Sequence, residues 1–306
     1  MGVTVNNFKK ILPHFYLCIA MFVWGSSLTT MKLALIHFTP FEVMAGRMIV
    51  SAIVGIPFLK FVIEHLKNKK INKLLIVTVI CQPCLFFIFE STALLYTTSG
   101  QAGMITTLSP LFATCAAIIF LKEKTSKKMF IGFGLAFLGV IWITLSATKT
   151  QSAPNPILGN FLEFGAVLCG MSFAVSVRYL TKFINPFHLT TAMSYAGMFF
   201  FVPLSFFDFN LGKVTYSFYV PTWLSILCIL YLGSVVTFLG YGLYSLGISQ
   251  LGVAKAVIYN NSIPVITVIL GSIFLEEYIT LSQCVAIFFI INGIGITQYF
   301  SYNNEK

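Results

Sequence analysis

A short pattern occurs twice in this chain, 154 residues apart, and both copies lie inside long apolar runs. Residues 110–123 read PLFATCAAIIFLKE and residues 264–277 read PVITVILGSIFLEE. Pro110 pairs with Pro264, Ile119-Phe120-Leu121 with Ile273-Phe274-Leu275, and Glu123 with Glu277. The same offset pairs Ala102 with Ala256 and Gly139 with Gly293. Earlier in the chain Gly25 and Ser27 answer to Gly170 and Ser172, and Pro40-Phe41 answers to Pro186-Phe187 after a one-residue slip. The chain is therefore expected to fold as two copies of one unit.

The units cannot be soluble. Charged residues make up 9% of the chain and hydrophobic ones 58%, whereas soluble domains carry about 25% charged residues. About 20 apolar residues cross the hydrocarbon core of a bilayer. Ten runs qualify: 11–36, 40–63, 73–96, 100–121, 128–147, 158–181, 187–206, 222–248, 253–275 and 281–301. None shows the alternation of an outer-membrane strand. The first run is too long for a signal peptide, lacks a small-residue cleavage site and is followed by further runs, so it is read as a helix. The expected fold is an all-α integral membrane protein with ten transmembrane helices. Residues 1–147 form one five-helix unit, 148–157 a polar linker and 158–306 the second unit. An odd number of spans per unit forces the second to insert upside down.

The net charge of +10 follows the topology. Lys9 and Lys10 precede span 1. Lys60, Lys67, Lys69, Lys70 and Lys73 follow span 2, Lys122, Lys124, Lys127 and Lys128 follow span 4, and Arg178 and Lys182 follow span 6. The alternate loops hold Lys32, Lys149 and Lys213, with Asp208, Glu276 and Glu277. This positive-inside pattern places both termini in the cytoplasm of an inner-membrane protein. It implies no nucleic-acid partner. All seven cysteines fall in apolar spans; Cys81-Gln82-Pro83-Cys84 has the spacing of a redox or metal pair, but small buried cysteines are the preferred reading.

Trp24-Gly25, Pro40 with Arg47, and the run Gly252-Val253-Ala254, Pro264, Leu275-Glu276-Glu277, Thr280, Gln283 and Gly293 follow a G-x-A…P…L-x-E…T-x-x-Q…G pattern. On these residues the chain resembles the drug/metabolite transporter superfamily, in its ten-helix EamA-type branch. The first half departs from the pattern around Gly132 and Gly134. The resemblance implies a carrier of small organic metabolites, often outward.

Several polar residues stand where such chemistry would need them. Pro110 and Pro264 lie inside their spans, and each would free a carbonyl, of Thr106 and of Asn260. Free carbonyls survive in a membrane against protein or in a wet cavity. Thr106, Thr107, Tyr259, Asn260, Asn261 and Ser262 cluster there, so the kinks are either packing features or the walls of a site. Glu90 lies roughly 9 Å inside the end of span 3 at 1.5 Å per residue. A charge at that depth is disfavoured by about 3 kcal/mol. Glu90 would bind a substrate amine, take a coupling proton, or pair structurally with Arg47. Lys255, with Tyr259 and Ser262 on one helix face, would bind an anion or snorkel to the surface. Trp24 sits at mid-span beside small residues, unlike the usual interfacial tryptophan, and Tyr195, Tyr241 and Tyr244 would extend an aromatic wall. Gly132, Gly134, Gly139, Gly293 and Gly295 read as contact surfaces between halves or protomers. Glu123 and Glu277 read as structural, meeting the start of the next helix at Ser126 or Thr280.

The leading expectation is a secondary active transporter of a small organic metabolite, with amino acids and their derivatives first because an acid and a base together suit a zwitterion. Import of a metabolite such as S-adenosylmethionine, or of a nucleotide-linked substrate, is the alternative. An intramembrane enzyme is remote: no H-E-x-x-H or G-x-S-x-G occurs, and the four histidines lie at span ends or in loops. No ATP-binding loop, cofactor or metal site is expected. The expected partners are the lipid bilayer and a small-molecule substrate, with a homodimer left open.

Overall fold

In hydrocarbon every backbone N–H and C=O must bond within its own segment, which leaves helices as the natural form for runs this apolar. The computed structural model describes residues 2–66, 69–112, 115, 129–207, 209, 211–278 and 280–302. The first half comprises α1 (Gly2–Ala34), α2 (Pro40–Val54), α3 (Leu59–Leu66), α4 (Lys69–Val79), α5 (Phe86–Tyr96), α6 (Ser99–Thr106) and α7 (Met129–Leu145). The second comprises α8 (Pro156–Leu180), α9 (Pro186–Ser205), α10 (Thr222–Tyr231), α11 (Tyr241–Leu251), α12 (Val253–Val257), α13 (Ile263–Phe274) and α14 (Leu281–Tyr302).

The chain is an all-α membrane protein of two inverted five-helix halves. Among the described residues six continuous helical stretches are long and apolar enough to cross a membrane, and Pro40–Val54 with Ile56–Glu64 adds a span bent by 57°. The bend falls at Gly55 and Pro57, where a short 3₁₀ turn replaces the α-helix. Phe130–Leu145 and Leu281–Thr297 are shorter apolar helices. The duplication is visible in where the helices break. The third span of each half is interrupted by π-helical turns, at Ile80–Leu85 and at Leu232–Gly240. The remainder of span 4, with Ile119-Phe120-Leu121, Lys122, Glu123, Lys124, Ser126, Lys127 and Lys128, lies outside the described residues, as do Lys67 and Asp208.

The halves interlock. α1 packs on α11 and α13, α2 on α9, α5 on α8, and α7 on α14. Glycines set the closest approaches. A Cβ at Gly132 would stand 2.4 Å from the Gly293 carbonyl, and one at Gly139 would stand 2.7 Å from the Ala286 carbonyl. These positions therefore join the two halves. Gly134 and Gly295, read with them as contact surfaces between halves or protomers, have nothing from the described residues within 4 Å of where a Cβ would be.

Lys32 corrects the loop reading. It lies in the last turn of α1 and is fully buried, with Nζ 3.3 Å from Glu277 Oε1 and donating to the Thr97 carbonyl at 2.5 Å. Glu277 is structural, as expected, but meets a different helix from the one foreseen. It accepts from the Ser99 N–H at 2.9 Å, the Gly100 N–H at 3.1 Å and the Ser99 hydroxyl at 2.7 Å. It thus caps α6 in the other half, where a carboxylate complements the helix dipole. Thr280 forms its own reciprocal cap with Gln283.

Candidate functional site

A cavity lies between the halves at mid-bundle. The first half lines it with Trp24, Ser27, Arg47, Gln82, Phe86, Glu90, Thr106 and Ser109; the second contributes Gly170, Phe173, Tyr241, Tyr244 and Asn260 among others. The cavity volume is about 90 Å³. On this measure one water needs about 10–15 Å³, so the space suits a molecule of several non-hydrogen atoms.

Its charged lining is one base and one acid. Arg47 is buried on α2, held by Nε donating to Thr237 Oγ1 at 2.6 Å and stacked 4.2 Å from the Phe87 ring centroid. Its Nη1 stands 3.9 Å from Glu90 Oε2 and has no hydrogen-bond partner. That separation is too long for a hydrogen bond. The pair is close enough to attract, yet each group keeps bonding capacity.

An aromatic wall adjoins this pair. The Trp24 ring lies 4.9 Å from that of Tyr241 and 4.5 Å from that of Tyr244. Gln82 donates to the Tyr241 hydroxyl, while Trp24 Nε1 is buried with no partner. Gln82 reaches this position because its backbone (φ −151°, ψ 120°) leaves the helical region inside the π-helical break. Asn260 lies beside Tyr244, and its Oδ1 also lacks a partner. Buried polar atoms are seldom left unpaired, and with Arg47 Nη1 three of them belong to residues that line the same cavity.

Five of the residues expected to bind substrate thus converge: Trp24, Glu90, Tyr241, Tyr244 and Asn260. Three do not. Lys255 is exposed, the Tyr259 hydroxyl bonds His14 Nδ1 at 2.5 Å, and Asn261 is not part of the lining. The expected shared face of Lys255, Tyr259 and Ser262 fails because residues Ile258–Ser262 are 3₁₀ rather than α-helical. The two prolines also act differently from expectation. Pro264 stands in the first turn of α13, and the Asn260 carbonyl accepts the Ile263 N–H. The Thr106 carbonyl, near Pro110, accepts the Ser109 hydroxyl at 2.6 Å. Neither carbonyl is free, although Thr106, Ser109 and Asn260 are all among the residues that line the cavity.

Polar bonds close the bundle at the end where α1 and α5 finish and α8 begins. Beside Lys32 and Glu277, Thr97 donates to Asn160 Oδ1 at 2.6 Å, and Asn160 donates to Gln101 Oε1 at 3.0 Å. Another acid, in span 6, is missing from the candidates that the sequence singles out. Glu163 on α8 is fully buried and neither of its oxygens has a hydrogen-bond partner. The rule that points to Glu90, a charge inside an apolar span, applies to it equally.

The model of the EamA-like transporter family matches residues 11–145 and 157–299. The uncharacterized transporter YetK of Bacillus subtilis (strain 168) is 29% identical over 300 residues, covering 97% of this chain and 89% of its own. YyaM of the same organism, also an uncharacterized transporter, is 26% identical over 297 residues, covering 92% and 93%. An uncharacterized transporter of Archaeoglobus fulgidus is 24% identical over 289 residues, covering 92% and 96%. One solved crystal structure aligns with a TM-score of 0.63 at 15% identity, over 96% of this chain and 99% of that one. The last likeness concerns the fold alone.

Proposed function

The chain belongs to the EamA-like transporter family, and from that premise we propose that it is a secondary active transporter of small zwitterionic metabolites, amino acids or their derivatives first. The observation that carries this is the cavity itself. Arg47 and Glu90 offer a cation and an anion with unused bonding capacity, beside a wall of Trp24, Tyr241 and Tyr244. A substrate carboxylate would take Arg47 Nη1 and its ammonium would take Glu90, with an aromatic face against the cation. The size of the space favours an amino-acid-sized compound over a nucleotide-linked one.

The mechanism is alternating access. The site lies between two inverted halves, and exchange of their conformations would expose it to each side in turn. The distribution of lysines supports cytoplasmic termini in the inner membrane. On that sidedness the Lys32–Glu277 cluster closes the outer end. Export is the direction favoured by the family resemblance.

The test is counterflow in liposomes carrying the purified protein, against a panel of labelled amino acids. Saturable exchange of a small zwitterion is expected, and oriented vesicles give the direction. Absence of exchange for every zwitterion would overturn the reading.

A further inference from the structure

Glu163 has no role in the site as described, yet it is the most completely enclosed carboxylate in the described residues, 0% exposed, with both oxygens unpartnered. It stands on α8 one turn before Val167 and two before Gly170, both cavity residues. Glu90 is close enough for the two acids to interact electrostatically, and Glu90 faces Arg47. Two acids and one base therefore share one enclosed region.

If all three were ionised, the cluster would carry one surplus negative charge. Arg47 cannot relieve it, because a guanidinium keeps its single charge in proteins. A surplus charge away from water is strongly disfavoured. One added cation restores neutrality, and the surroundings of Glu163 select which. A metal cation such as Ca²⁺ would need about six oxygen ligands. Among the described residues no group of three or more His, Cys, Asp or Glu gathers to hold one, and neither Glu163 oxygen has a hydrogen-bond partner. A proton needs one oxygen.

We infer that Glu163 is a proton-binding site. It holds one proton as a neutral carboxylic acid when the cavity is closed and releases it to water when the cavity opens. This makes Glu163, rather than Glu90, the carrier of a coupling proton, and leaves Glu90 and Arg47 to the substrate. The coupling role rests on the transport reading above; the bound proton does not.

The other titratable groups around α8 are few. Glu90 and Tyr96 come from α5, Cys81 and Cys84 from the π-helical turns before it, Cys115 from the apolar cluster that also holds Phe164 and Val167, and Tyr241 and Tyr244 from α11. α6 and α7 present none. Gly159 meets Thr97 and Gly170 meets Phe86, so α5 and α8 run antiparallel. That register puts the α4 lysines at the far end of α8, beside its own Arg178 and Tyr179, and Lys255 of α12 is exposed. Cys169 is the remaining titratable group on α8.

The experiment is pH-difference infrared spectroscopy of the full-length protein in lipid nanodiscs. A carbonyl stretch of a protonated carboxylic acid is expected, shifted in D₂O, bleached at high pH and absent from Glu163→Gln. Should that variant fold poorly, Glu163→Asp is expected to displace the band. Absence of the band from wild type, or its survival unchanged in both variants, would overturn the inference. In liposomes, a pH gradient should drive accumulation of an exchanged amino acid by wild type and only equilibration by Glu163→Gln. Accumulation surviving in that variant would overturn the coupling role. Failure of wild type to exchange any amino acid would instead refute the transport reading, with the infrared band still deciding the proton.

Discussion

The Lys32 ammonium stands 3.3 Å from Glu277 Oε1, tying the last turn of the first helix to the turn between the last two. Removing one partner of a buried ion pair typically costs about 3–5 kcal/mol. Lys32→Met and Glu277→Gln should therefore each lower the thermal unfolding temperature in detergent. Glu277→Gln should lower it further, because Glu277 also caps α6. The double variant should lose less than the sum of the two. Strict additivity would show that the pair does not act as a unit.

Arg47 and Glu90 should be separable by what they hold. A hydrogen bond to a charged group contributes about 1.5–3 kcal/mol, or roughly ten- to a hundredfold in affinity. Glu90→Gln should weaken exchange of amino acids by that factor and spare analogues that lack the amine. Arg47→Gln should penalise those that keep the carboxylate. Counterflow competition with N-acetylated and decarboxylated analogues reads the difference. Equal losses for all analogues would mean that the pair is structural.

Ligand size should be visible in tryptophan emission. Trp24 alone among the three tryptophans lines the cavity. In a Trp142→Phe/Trp223→Phe background, a transported amino acid should change Trp24 emission saturably, and a nucleotide-linked compound should not. A response to both, or to neither, would contradict the size argument.

The glycines divide into two groups with opposite expectations. Gly132→Ala and Gly139→Ala would drive a Cβ against backbone atoms at 2.4 and 2.7 Å, which no side chain can relieve. Overpacking of this kind costs about 1–3 kcal/mol. Gly134→Ala and Gly295→Ala have open space and should be neutral or slightly stabilising. Thermal unfolding of the four single variants is the measurement.

Much of this is legible in the sequence. Gly132, Gly139 and Gly293 read as contact surfaces and meet in the α7–α14 packing, and mid-span Trp24 and Glu90 point to the cavity. What stays hidden depends on partners far along the chain. Lys32 reads as a loop residue because its depth makes sense only once Glu277 is beside it. Lys255 and Tyr259 share a face only on the assumption of an unbroken α-helix, and the 3₁₀ turn rotates them out of line. The carbonyl of Thr106 reads as free because sequence spacing does not reveal that Ser109 turns back to it.

The bond from Arg47 Nε to Thr237 Oγ1 joins residues 190 positions apart. A ribosome releases Arg47 long before it has made Thr237, so the nascent first half enters the bilayer with that guanidinium lacking its anchor. The early intermediate is thus a five-span fragment with an incomplete polar seam and a strong drive to capture the second. The seam works as an assembly checkpoint: residues 1–147 and 158–306, expressed as separate chains in one cell, should each be degraded when alone and persist when made together.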